Sequence, residues 1–206
     1  MDNFPFDVTG LNEEAIKRFY DAYKTIKTRF NIQLTGHIDF NLKQFEVFKN
    51  YLDIEVKGSY VIKQDCGDTY ILFLECHYKT KRYDGGFNDN YEYQTCALAY
   101  LKNNFGRILI RRETLSDKIQ EIIHPLELDF KEDKAFSDTF YVIVNDHAKA
   151  VAGMNRNFRN AVMDVRHDDF VIELVDHTLL VAHHNPISAE QAGHMAEFVA
   201  RIAAVC

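Results

Sequence analysis

Apolar positions along this chain recur with two different periods. Between residues 12 and 30, apolar side chains return every three or four positions with Lys and Glu between them, which predicts an amphipathic helix. Residues 41–52 show the same spacing, with Asn41 as a cap and Gln44 three positions later, and this predicts a second, shorter helix. The beginning of the chain is therefore expected to be helical.

After residue 53 the pattern becomes that of strands. Four segments are rich in β-branched and aromatic residues, and turns containing Gly, Asp and Asn separate them. The pattern predicts a four-stranded antiparallel meander at 54–64, 69–82, 90–102 and 106–113. Within it, the run YILFL is apolar on both faces, which is typical of a central strand covered from both sides.

Helix signals return after the meander. Thr114 and Asp117 form a capping pair before an apolar stripe, so residues 114–123 are predicted to be helical, and Pro125 ends this helix. Further elements are predicted in this order: a strand at 126–130, a short acidic turn or helical piece at 131–138, a strand at 139–146, and a helix over 147–165 that breaks near Gly153.

The C-terminal part of the chain predicts a hairpin followed by a helix. Residues 170–184 are apolar on either side of a tight turn at Asp176 and His177. Ser188 and Gln191 then form the capping pair of a last amphipathic helix.

These blocks predict an α+β fold in which N-terminal and C-terminal helices pack on a predominantly antiparallel sheet, made of the meander and the C-terminal hairpin. Neither a linker nor an internal repeat interrupts the sequence, so we expect one domain over residues 1–206. Its expected parts are a helical extension at 1–44, the meander at 45–113, and a helix–strand half at 114–206.

Composition and charge narrow the classes of partner. Of the 206 residues, 47 % are hydrophobic and 27 % are charged, which is typical of a globular domain. The net charge of −7 argues against a nucleic-acid binder, which presents a basic face to phosphates. No signal peptide and no long uncharged apolar run is visible, so neither secretion nor membrane insertion is expected. The four cysteines show no CxxC spacing, which favours a reducing, cytoplasmic location.

Two of the cysteines raise a pairing question. Cys76 and Cys96 lie symmetrically about the DGG turn at 84–86, so a hairpin could place them opposite each other. Alternatively, both are small buried apolar side chains without a partner.

The order of short motifs resembles that of a widespread family of uncharacterised bacterial proteins. The motifs are FEVF at 45–48, FLECHY at 73–78, YQTCAL at 93–98, ILIRRE at 108–113, LELDF at 126–130, AFSDTFYVIVND at 135–146 and ELVDHTLLVAHH at 173–184. Arg112 stands where many members have proline, Glu75 and Cys76 replace an acidic–aromatic pair, and the membrane segment of many members is missing. The resemblance implies a fold and transfers no catalytic residue.

Histidines near the C-terminus provide one hypothesis of function. His167, Asp169, His177 and His183, with His184 beside them, could bind a metal, as in a metal-dependent enzyme or a metal-binding protein. However, His183 and His184 point to opposite faces of a strand, and the spacing matches no metal-hydrolase motif. Metal binding is therefore the alternative function, and no cofactor is predicted.

A non-enzymatic ligand-binding or protein-interaction domain is the favoured function. No serine or cysteine stands in the sequence context of a catalytic nucleophile. Phe87, Tyr91 and Tyr93 surround the long hairpin loop and are the expected interaction surface, because aromatic residues are enriched at interfaces. The alternative is that these rings fold back and seal the end of the sheet. The partner, a protein or a small molecule, is unknown, and an oligomer is possible.

Overall fold

A nine-stranded antiparallel sheet forms the centre of the part of the chain that the structure describes. The structure is a computed structural model, and it describes residues 4–36, 38–65, 67–112 and 126–205. The strands lie in the order β1-β2-β3-β4-β9-β8-β5-β7-β6. They are β1 (Ile32–Leu34), β2 (Asp53–Ile62), β3 (Thr69–Lys81), β4 (Phe87–Tyr100), β5 (Arg107–Arg112), β6 (Leu126–Glu127), β7 (Phe140–Val144), β8 (Val171–Val175) and β9 (Thr178–Ala182).

Helices precede, interrupt and follow these strands. They are α1 (Glu13–Arg29), α2 (Lys134–Ser137), α3 (His147–Gly153), α4 (Arg156–Asp164) and α5 (Ala189–Val205), together with two short 3-10 helices, Leu42–Gln44 and Glu46–Phe48. The predicted α+β class, an antiparallel sheet with an N-terminal and a C-terminal helix packed on it, is confirmed. The helix predicted at 114–123 lies outside the described residues.

The two long helices begin where the sequence predicts and cover one face of the sheet. The Asn12 side chain accepts a hydrogen bond from the Ala15 backbone N–H at 2.8 Å and so caps α1. Phe19 of α1 stacks on Phe73 of β3, with ring centroids 4.8 Å apart. Helix α5 packs against α1 and lies on the central strands, so the apolar stripes of both helices close the larger core.

The opposite face of the central strands is covered by residues 38–51. Leu72 and Leu74 of β3 point to this face, whereas Ile71 and Phe73 point to the helices, and all four side chains are buried. The prediction of a central strand covered from both sides is thus confirmed.

The helix predicted at 41–52 is wrong; almost all of these residues belong to the covering segment, residues 38–51. Two 3-10 helices replace it, and Asn41 adopts a left-handed conformation (φ 48°) without capping a helix through its side chain. Phe45 and Phe48 are nevertheless buried against the sheet. The apolar spacing therefore predicted correctly that these side chains are buried, but tertiary contacts set the backbone conformation of so short a segment.

The predicted four-stranded meander is also wrong in its last member. Strands β2, β3 and β4 are neighbours, but β5 pairs with β7 and β8 instead of β4. The hairpin β8–β9 occupies the free side of β4, with Ala97 opposite Val181. Periodicity identifies a strand and its buried face, and it does not identify the partner among several apolar edges.

The β3–β4 hairpin settles the question about the cysteines. Cys76 lies opposite Glu92 and Cys96 opposite Leu72, because the hairpin turns two residues earlier than a pairing of the two cysteines requires. Both thiols are free and buried, and burial raises the pKa of the Cys76 thiol to about 12. They are two small apolar side chains of the core.

Other local predictions have mixed outcomes. The helix over 147–165 breaks as expected into α3 and α4, and the turn of the last hairpin lies at Asp176, with φ 52°. Ser188 and Gln191 exchange hydrogen bonds of 3.0 and 3.2 Å as a capping box. The strand predicted at 126–130 is limited to Leu126–Glu127, and the three-residue strand β1 was missed because it is too short to show a period.

Candidate binding groove

A groove of about 890 Å³ lies along the outer edge of β2. Residues 35–36 and 38–43 form one wall, and residues 53–56 and Ser59 of β2 form the other. The walls combine apolar side chains, such as Ile54 and Val56, with hydroxyl, amide and carboxylate groups. This combination of apolar area and convergent polar groups is typical of ligand-binding sites.

The wall formed by residues 35–36 and 38–43 is tied to the sheet at its first end and again at Phe40. At the first end, the Thr35 backbone N–H donates to the Ser59 carbonyl at 3.1 Å, and the hydroxyl groups of these two residues are also hydrogen-bonded. Further along, the Phe40 ring packs edge-to-face on Tyr70, with centroids 5.4 Å apart. These contacts fix the position of this wall against the sheet.

A buried carboxylate holds the chain just beyond the groove. Glu173 of β8 accepts hydrogen bonds from the backbone N–H groups of Glu46 and Val47, each at 2.7 Å. Burial raises the pKa of Glu173 to about 6, although the two N–H donors favour its ionised form. Arg107 donates to the carbonyl of Gln44 at 3.0 Å from the neighbouring strand. The covering segment is therefore anchored by two charged side chains of the sheet.

The strand edge along the groove is open. Strand β1 pairs with β2 at residues 60–62, and the backbone N–H groups of Thr35 and Asp7 donate to the carbonyls of Ser59 and Lys57. In the described part of the chain, residues 53–56 pair with β3 alone. Their outward backbone groups therefore border the groove without a neighbouring strand.

Carboxylates dominate the charge of the groove. Asp39, Asp53 and Glu55 line it, and among the lining residues that the structure describes Lys43 supplies the one ammonium, which donates to the Tyr51 carbonyl. Glu55 also pairs at 2.8 Å with the buried ammonium of Lys57 and keeps half of its side chain exposed. The groove thus carries an excess of negative charge.

The histidines predicted to bind a metal lie at separate places. His177 lies at the turn before β9, near the Leu101 carbonyl at 3.3 Å, and His183 follows β9, so the five residues of the strand, roughly 20 Å from one histidine to the other, separate them. The Nδ1 atom of His183 lies 2.8 Å from the Asn185 carbonyl. Asp169 forms an ion pair of 2.9 Å with Arg112.

His167 belongs to a different part of the surface. It lines a cavity of about 380 Å³ between α4 and α5, which it shares with His194. His194 lies between the carboxylates of Asp168 and Glu190, at 3.3 and 3.2 Å, and Glu190 is itself held by an arginine of α1. Within the described ranges, no group of three or more His, Cys, Asp or Glu side chains is arranged to hold a metal ion. Metal binding stays a prediction.

The three aromatic residues predicted to form an interaction surface differ in exposure. Phe87 and Tyr91 are 61 % and 52 % exposed on the hairpin, and Tyr91 stacks on His77 with centroids 4.9 Å apart. Tyr93 is half-buried, and its hydroxyl donates to the Gly10 carbonyl at 3.3 Å. The hairpin therefore presents two of the three rings to solvent, and their role at an interface stays a prediction.

Sequence reasoning missed the groove itself. The available signal is the start of β2, where Asp53 and Glu55 alternate with Ile54 and Val56. Charged residues placed along a strand are typical of sheet edges. The wall at 35–36 and 38–43 carries no comparable signal, because its position depends on contacts with strands that are distant in sequence.

Comparison with known proteins identifies a fold and no family. No protein-family model and no curated protein matches this chain. The crystal structure of the mycobacterial trehalose monomycolate transport factor A, TtfA, is similar, with a TM-score of 0.60 and 12 % sequence identity over 93 % of this chain and 94 % of that one. At this identity the similarity shows a shared fold. None of the helices in the described residues has the length and apolar character needed to span a bilayer.

Proposed function

We propose that this chain is a non-enzymatic binding module whose groove beside β2 takes a ligand or a segment of a partner protein. The groove itself carries this proposal. Its volume of about 890 Å³ falls within the range of roughly 300–1,000 Å³ of ligand pockets, and its walls combine apolar and polar groups.

Two further observations support a binding role. The buried Glu173 carboxylate and Arg107 hold the segment next to the groove, so the chain spends little free energy on ordering that segment when a ligand binds. The structural neighbour is named a transport factor for trehalose monomycolate. A binding role for a chain of the same fold is compatible with that name.

The test is a screen of fragments and short peptides by ligand-observed NMR, followed by two matched tryptophan variants. Val56→Trp places an indole in the groove, and Val151→Trp adds the same ring on α3; the two valines are 39 % and 44 % exposed. We expect ligands of the wild-type chain to lose binding to Val56→Trp and to keep it with Val151→Trp. Ligands that bind both variants equally, or a screen without any ligand, would refute the groove as the functional site.

A further inference from the structure

The open edge of β2 has two faces of different chemistry. Because side chains alternate along a strand, Asp53 and Glu55 point to one face while Ile54 and Val56 point to the other. The register with β3 agrees, since Ile54 lies opposite the buried Cys76 and Glu55 lies opposite Glu75. A strand added to this edge would meet carboxylates on one face and apolar side chains on the other.

We infer that the groove takes a basic, extended peptide segment, which adds to β2 as a further strand along residues 53–56. This inference rests on the binding role proposed above and names the class of partner. Main-chain hydrogen bonds to the open edge supply affinity in such strand addition, and alternate side chains supply specificity. Lysine or arginine at every second position would face Asp53 and Glu55.

Charge decides between this partner and a second copy of the chain. Pairing two copies of β2 along residues 53–56 would place Asp53 and Glu55 close to the same carboxylates of the other copy. Like charges opposite each other destabilise a strand pair, and charged edges are a common protection against self-association. In the described residues Asp53 forms no ion pair within the chain, so its charge is available to a cationic partner.

The test uses a fluorescein-labelled peptide of seven residues that alternates lysine with valine. A second peptide has glutamate in place of lysine, and a third keeps the lysines but is N-methylated at alternate amides, which removes backbone donors. Fluorescence anisotropy measures the Kd of each peptide for the full chain at low and at high salt.

We expect the lysine peptide to bind and the glutamate peptide to bind at least about tenfold more weakly, since two carboxylates then repel it. N-methylation should weaken binding about tenfold, because it removes more than one main-chain hydrogen bond. Asp53→Lys should weaken binding of the lysine peptide about fivefold. Glu127→Lys changes an exposed carboxylate on β6, the opposite edge strand, and should leave the Kd unchanged.

Each failure has its own meaning. Equal binding of the lysine and glutamate peptides, or undiminished binding of the N-methylated peptide, overturns strand addition by a basic segment. Absence of any peptide binding up to about 1 mM does the same. If Val56→Trp still abolishes binding of other ligands in those cases, the groove remains a binding site. If no ligand of any kind depends on Val56, the proposed function fails as well.

Discussion

Replacing Glu173 by glutamine tests the physical account of the segment next to the groove. The carboxylate is buried under that segment and is held by the backbone N–H groups of Glu46 and Val47. Burial raises the pKa of Glu173 from 4.5 to about 6, so the folded chain binds this proton more tightly than the unfolded chain does. The contribution of Glu173 to stability is therefore lost as the pH rises through 4.5 to 6, and is present in full below 4.5.

The size of the effect follows from the shift. A difference of about 1.5 pKa units corresponds to roughly 2 kcal/mol at 1.36 kcal/mol per unit. Between pH 7 and pH 4.5, Glu173 should add about this amount to the free energy of unfolding of the wild-type chain. Glu173→Gln does not titrate and should lack this increment. The free energy of unfolding of the wild-type chain, relative to that of Glu173→Gln, should therefore rise by about 2 kcal/mol as the pH falls from 7 to 4.5.

Urea unfolding followed by circular dichroism at several pH values measures both chains under the same ionic strength. Glu173→Ala tests the same contacts locally, because it leaves the N–H groups of Glu46 and Val47 without their acceptor. The loss should lower the free energy of unfolding by about 1–3 kcal/mol per N–H group. Hydrogen exchange at these two amides should then accelerate about tenfold or more. If the wild-type and Glu173→Gln curves stay parallel within about 0.5 kcal/mol, the carboxylate does not titrate as a buried group and the account is wrong.

Three other perturbations test the core. Arg159→Met should destabilise the fold by about 3 kcal/mol in urea unfolding, because the buried guanidinium donates hydrogen bonds to a carboxylate and to a backbone carbonyl. The control, Arg201→Met, removes an exposed ion pair and should cost less than about 1 kcal/mol. Equal losses of stability in the two variants would contradict this prediction. Gly153→Ala should cost about 1–3 kcal/mol, because the new Cβ would lie 2.4 Å from a phenyl ring, and an unchanged urea midpoint would argue against this packing. Cys76 and Cys96 should resist alkylation by iodoacetamide at pH 8 until urea unfolds the chain, because both thiols are buried. Mass spectrometry of the peptides that contain them measures the alkylation, and labelling of the native chain would contradict their burial.

Local signals in the sequence predicted those features that depend on neighbouring residues. The start of α1, the cap of α5 and the break between α3 and α4 follow from side chains within a few positions, and each is found where it was expected. The two-sided burial of β3 follows from an apolar run whose composition does not depend on its partners.

For the candidate site, the sequence predicted only the strand at 54–64, whose first residues belong to one wall of the groove. The segment next to the other wall is held by Glu173, which lies 126 and 127 positions from the two amides that it binds. An acidic residue within an apolar strand indicates that its carboxylate needs hydrogen-bond donors, but the sequence does not identify which backbone N–H groups donate to it. Hence the segment predicted as a helix became two 3-10 helices, held from a strand far along the chain.

The sequence alone thus determined the class of fold, the long helices and the buried faces of the strands, because periodicity and capping are local. The tertiary structure decided the order of strands, the separation of the histidines and the groove. Each of these depends on which apolar edges pair and which buried polar groups meet, and these choices involve residues that the chain brings together only when it folds.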